Sequence, residues 1–95
     1  MLYLVIEDYR SGSEPVYARA AARGRMLPDG LRYIDSWVVD NASLDRCYQL
    51  METEDPALFE EWCARWQDLV RFEIVPVIAS REAAARADAS RHESS

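Results

Sequence analysis

Lysine is absent from this sequence. All eleven cations are arginine, set against seventeen acids, for a net charge of −6. Such a chain is repelled by phosphate backbones, so nucleic acid is not an expected partner. Histidine occurs once, at position 92. Residues 1–80 therefore offer no imidazole to a transition metal, to a histidine-activated nucleophile or to haem iron. Glycine is scarce at three residues, and none builds a phosphate-cradling loop or a nucleophile elbow. Two cysteines, Cys47 and Cys63, fit reduced, buried thiols better than a disulfide framework. No apolar run approaches the roughly 20 residues of a membrane span. The opening MLYLVIEDY lacks a basic lead and a cleavage site, and Glu7 and Asp8 interrupt it. The expected setting is cytoplasmic, with no membrane, no metal and no cofactor.

What is present suits one globular domain. The 95 residues are 49% apolar and 29% charged, with five Tyr, three Trp and two Phe, enough for one core of modest size. Leu2 to Tyr9 is an apolar, β-branched and aromatic run that reads as a strand. Ser13 is placed to cap a helix over Val16 to Arg25, with Glu14 and Pro15 suited to its first turn. Pro28 and Asp29-Gly30 end that helix. Leu31 to Val39 and Arg46 to Glu52 read as two strands of a hairpin across the polar loop Asp40 to Asp45. Asp55 and Pro56 open a second helix running to about Leu69. Its apolar face, through Phe59, Trp62, Cys63 and Trp66, recurs at i, i+3, i+4, i+7. Arg71 to Ile78 is the last strand, with Pro76 suited to an edge.

The order β-α-β-β-α-β predicts a ferredoxin-like α+β domain over residues 1–80, a four-stranded antiparallel sheet with two helices on one face. Residues 81–95 have no large apolar side chain and read as a polar tail, a frayed helix or disordered. Strand alternation then assigns faces. Leu4, Ile6, Ile34, Val38, Tyr48, Leu50, Phe72 and Ile74 are expected under the helices.

The opposite face is the expected ligand surface. It would gather Glu7, Tyr9, Tyr33, Asp35 and Trp37 with Gln49, Met51 and Glu73, alongside Val5, Cys47 and Val75. Large aromatics mixed with carboxylates are unusual on a solvated face, and such patches mark interfaces or ligand sites. A second copy covering this face would make a homodimer with a mixed interior. Glu7, Asp35 and Glu73 are the first candidates for acid–base chemistry, because enclosure would raise at least one carboxyl pKa. The plainer reading pairs them with Arg32, Arg46 or Arg71 at a wet rim. For Trp37 and Tyr33 the plainer reading is interface packing. Trp62 and Trp66 read as core.

The segments GRMLPDGLRYIDSWV, RCYQLMETEDPALFEEW and DLVRFEIVPV resemble a bacterial family of about this length known only as a domain of unknown function. The likeness spans roughly residues 1–80 and leaves the tail outside. It implies a dimeric α+β barrel, in which the sheets of two ferredoxin-like subunits pack together. That superfamily includes cofactor-free monooxygenases and isomerases with sites between sheet and helices or inside the barrel. The family brings no catalytic residue with it. Three functions follow as expectations: a small-molecule binder, an enzyme of that cofactor-free kind, or an interaction module whose sheet face serves dimerisation alone.

Overall fold

A computed structural model describes residues 1–93. Strand β1 (Leu2–Tyr9) leads into helix α1 (Ser13–Arg23). Strands β2 (Arg32–Val38) and β3 (Arg46–Glu52) form the hairpin. Helix α2 (Leu58–Ala64), strand β4 (Val70–Val77) and helix α3 (Ser80–Glu93) complete the chain. The four strands make one sheet in the order β2-β3-β1-β4, with every neighbouring pair antiparallel. This is the ferredoxin-like α+β arrangement, with a third helix appended. Pro76 falls on the edge strand β4, where its missing N–H breaks no second ladder.

Both α1 and α2 lie on one side of the sheet. Phe59 meets Tyr3 edge to face at 5.1 Å, Trp62 meets Phe72 at 5.2 Å, and Tyr17 of α1 meets Tyr9 at 6.3 Å. Val16, Phe59, Trp62 and Trp66 are buried with them, as the helical spacing predicts. Arg19 ties α1 to the turns that follow α2 at the surface. Its guanidinium forks onto Asp68 at 2.8 and 2.6 Å, donates to the Arg65 carbonyl at 3.1 Å, and lies over the Trp66 ring. That pairing holds the exposed Asp68 carboxyl below its usual range.

The helix boundaries differ from expectation. Ser13 is the first residue inside α1 and caps nothing; Gly12, at φ 85, is the N-cap. The helix ends at Arg23, two residues early, where Gly24 at φ 67 bonds back to the Ala20 carbonyl. Regular α2 is short because tight i→i+3 turns flank it. Leu58, Phe59 and Glu60 bond to the carbonyls of Asp55, Pro56 and Ala57, and Arg65, Trp66 and Leu69 repeat the pattern after Ala64. The Asp55 carboxylate still serves the entry, accepting the Ala57 N–H at 3.1 Å. The polar tail is helical: α3 is 14 residues long, and every residue from Ser80 to Arg91 is exposed.

The larger correction concerns the sheet faces. In the central strands the alternation is the reverse of that expected. Tyr3, Val5, Glu7 and Tyr9 of β1 are buried under the helices, as are Cys47, Gln49 and Met51 of β3. Leu4, Ile6, Tyr48 and Leu50 face the other way and are only partly covered. The assignment of Phe72, Ile74 and Val38 to the helix side holds, because they pair with Glu7, Val5 and Cys47. In β2 a bulge between Tyr33 and Asp35 shifts the register. It puts Tyr33 opposite Met51 and Ser36 opposite Gln49 on the helix side, and it leaves Ile34 47% exposed. An extra residue in one strand of a ladder has this effect.

Candidate functional site

The eight residues expected to share one ligand surface are divided by the sheet. Glu7, Tyr9, Tyr33, Gln49 and Met51 lie on the helix side; Asp35, Trp37 and Glu73 lie on the open face and are exposed. Met51 is fully buried core. Glu7, Tyr9 and Gln49 line a cavity of about 250 Å³ between the sheet and the two helices. Asp35, Trp37 and Glu73 have no part in it.

The cavity has a buried polar centre. Glu7 and Gln49 sit diagonally across the β1–β3 ladder, since Glu7 pairs with Cys47 and Val5 with Gln49. The Gln49 Nε2 donates to Glu7 Oε2 at 2.6 Å. Both side chains are almost wholly enclosed, at 4% and 7% exposure. Burial pushes the Glu7 carboxyl up to about 7, and the Gln49 bond, the Arg25 charge and the Tyr9 hydroxyl pull it back only in part. The Gln49 Oε1 is buried without a hydrogen-bond partner. Such an acceptor costs about 1–3 kcal/mol when nothing reaches it.

Aromatic and aliphatic side chains wall the centre. Tyr9, Val16, Ala20, Cys47, Trp62 and Trp66 all contribute. Burial raises the Tyr9 hydroxyl far above its usual range and moves the Cys47 thiol to about 11. Both are protonated at neutral pH. Cys47 is therefore a wall and not a thiolate nucleophile. Cys63 is likewise pushed to about 11 by burial, and both thiols are free.

At the exposed end stands Arg25, which the sequence marks only as the last residue of the expected first helix. It lies past the helix, in a turn shaped by Gly24 at φ 67 and Met26 at φ 57. The indole N–H groups of Trp62 and Trp66 both donate to its carbonyl at 2.9 Å. Its guanidinium lies 3.5 Å above the Tyr33 ring. That ring is fixed in turn by a 2.7 Å bond between the Tyr33 and Ser36 hydroxyls. No sequence motif marks Arg25, since the turn and the two indoles that place it come from separate elements.

The open sheet face carries the band Leu4, Ile6, Tyr48, Leu50 and Val75, with Trp37 54% exposed beside it. Ion pairs flank the band: Arg46 with Asp8 at 3.4 Å and Arg32 with Glu52. Among the described residues no three His, Cys, Asp or Glu side chains form a metal cluster, and no helix is long and apolar enough to cross a membrane.

A family model described as a domain of unknown function, DUF3303, matches residues 1–91, taking in most of α3. No curated protein and no solved structure matches the chain.

Proposed function

We propose that this chain, which belongs to the DUF3303 family of unknown function, is a small-molecule-binding protein whose ligand enters the cavity between the sheet and the helices. One observation carries the reading: a buried carboxyl and a buried carboxamide, bonded to each other, lie at the inner end of an aromatic-lined space. A core built only for stability would fill that space with apolar atoms, because buried polar groups and voids both weaken a fold. Polar groups convergent in an apolar pocket are the usual form of a binding site. The two free thiols fit a cytoplasmic setting.

A second copy of the chain would cover the open sheet face, giving a homodimer of the α+β-barrel kind. The support is the composition of that face. Its apolar band joins Leu4, Ile6, Tyr48, Leu50 and Val75, and both charge signs at its margins suit a self-complementary contact. Light scattering at micromolar concentration should report a mass above the 10.9 kDa monomer; the monomer mass would end this part of the proposal.

An enzymatic reading rests on Glu7. A carboxyl that titrates near neutrality can accept and return a proton, as cofactor-free isomerisation or oxygenation requires. The binding reading comes first, because the two groups beside Glu7, the Tyr9 hydroxyl and the Cys47 thiol, are both held protonated by burial. A thermal-shift screen of small metabolites tests it. A ligand of the cavity raises the melting temperature of the native protein by mass action, and much less so in Ala20→Leu, which narrows the same space. Equal shifts in both proteins would place binding elsewhere and refute the reading.

A further inference from the structure

The cavity's size, walls and two ends narrow the class of ligand. About 250 Å³ exceeds the ~150 Å³ that accepts a benzene and falls short of the ~300–1,000 Å³ typical of drug-sized ligands. One ring with one or two substituents fits; a nucleotide or a haem does not. Trp62, Trp66 and Tyr9 on the walls favour a flat, apolar body.

The inner end asks for a donor. Gln49 uses its N–H on Glu7, so its oxygen is the group left without a partner. An N–H or O–H on the ligand supplies what it lacks. The outer end asks for an anion. Arg25 stacks on Tyr33 and has no ion pair among the described residues. Its backbone is clamped by two indoles, so the cation is held at the rim. One arginine in a protein of net charge −6 suits a single negative charge; a phosphate dianion would meet the opposing field of the whole chain.

We infer that the cavity takes a single-ring aromatic or heteroaromatic monocarboxylate, its acid group on Arg25 and a hydroxyl or ring N–H donating to Gln49 Oε1. This rests on the binding reading above and adds the ligand's chemistry to it.

The probes are 3- and 4-hydroxybenzoate, benzoate and phenol, titrated against the full chain with the three indole N–H signals followed by NMR. Trp62 and Trp66 line the cavity, whereas Trp37 lies on the far face and serves as an internal control. A hydroxybenzoate should shift the Trp62 and Trp66 signals and leave Trp37 still. It should bind about tenfold more tightly than benzoate, the value of one well-made hydrogen bond. Arg25→Gln alters only an exposed side chain and should weaken the hydroxybenzoate about tenfold while leaving phenol unchanged. If phenol binds as well as the acids and Arg25→Gln changes nothing, the ligand class is wrong and the cavity still binds. If no probe moves Trp62 or Trp66 at millimolar concentration, the ligand class is overturned, and the metabolite screen then decides the binding reading alone.

Discussion

Gln49 donates its amide N–H to Glu7 across 2.6 Å, with both side chains almost wholly enclosed between the sheet and the helices. This bond lets a carboxyl survive beneath two helices. It also leaves that carboxyl poised, since one hydrogen bond and the charge of Arg25 do not offset the loss of solvent. The pair thus sets both the polarity of the cavity and a pH dependence of the fold.

Glu7 should make the protein less stable as pH rises from about 4.5 to 7. Its folded pKa of about 7 lies above the ordinary 4.5, so between those values the unfolded chain has released a proton that the folded protein retains. The stability is complete below the lower value and lost as pH passes the upper. The span corresponds to about 3 kcal/mol. Glu7→Gln keeps an acceptor for Gln49 and removes the titration. Urea midpoints between pH 4.5 and 8 should fall for the native chain and stay level for the variant across that window.

Trp62 should be the most costly of the three tryptophans to remove. It is 2% exposed, packs on Phe59 and Phe72, and holds the Arg25 carbonyl. Trp62→Ala removes a large core volume and one part-buried hydrogen bond, a loss of about 3–5 kcal/mol. That is a large part of the ~5–15 kcal/mol that holds a domain together. Trp62→Phe keeps most of the volume and loses the bond, and should cost about 1–2 kcal/mol. Chemical denaturation of both variants measures the difference.

Gly30 should resist replacement. It sits at φ 95, and a Cβ there would lie 3.1 Å from Leu58 Cδ1. Leu58 can give way at the end of its side chain; the backbone angle cannot be made comfortable for an L-residue. Gly30→Ala should cost about 1–2 kcal/mol. Gly30→Asn should cost less, because asparagine tolerates positive φ better. Equal losses for the two would show that the contact, and not the angle, sets the cost.

The element order was legible from the sequence because turns and periodicity act locally. Asp29-Gly30, the loop Asp40 to Asp45 and the pattern Phe59-Trp62-Trp66 each speak for their own stretch. The faces of β1 and β3 were not legible. Leu2, Leu4 and Ile6 are as apolar as Tyr3 and Val5, so alternation there favours neither side, and the polarity of Glu7 and Gln49 pointed to the face away from the helices. Each is polar alone and finds a hydrogen-bond partner in the other, 42 residues away. That pairing depends on register, which hydrophobic pattern did not specify. The β2 bulge adds a second shift that no residue of RYIDSWV announces. Of the eight site residues read from sequence, Glu7, Tyr9 and Gln49 therefore meet at the cavity through a face assigned the wrong way round. Arg25 was missed because its position is set by contacts from α2.

Helix α3 should be dispensable for folding. Ser80 to Arg91 are exposed throughout, and the ion pairs Glu82–Arg86 and Asp88–Arg91 lie within the helix itself. Exposed pairs of that spacing contribute about 0.3–0.5 kcal/mol each to their own helix and nothing to the sheet. Ending the chain after Ala79 should move the urea midpoint by less than the equivalent of about 1 kcal/mol. A larger loss would mean that α3 packs on a surface outside this subunit, and its dependence on protein concentration would identify that surface as a second copy.

Trp37 should matter to association and not to the fold of one subunit. It is 54% exposed on the open sheet face, across the ladder from Tyr48 and beside the band of Leu4, Ile6 and Leu50. Aromatics in such positions are the side chains that most often dominate an interface. Trp37→Arg places a charge where a second copy of the same face would bring an identical charge nearby. Sedimentation velocity should then show at least about a tenfold weaker dimer, the change expected from losing one such anchor. At concentrations where both proteins are monomeric, the urea midpoints should agree within about 0.5 kcal/mol. A variant that unfolds as a monomer would place Trp37 in the subunit's own core, and an unchanged dimer would move the interface off this face.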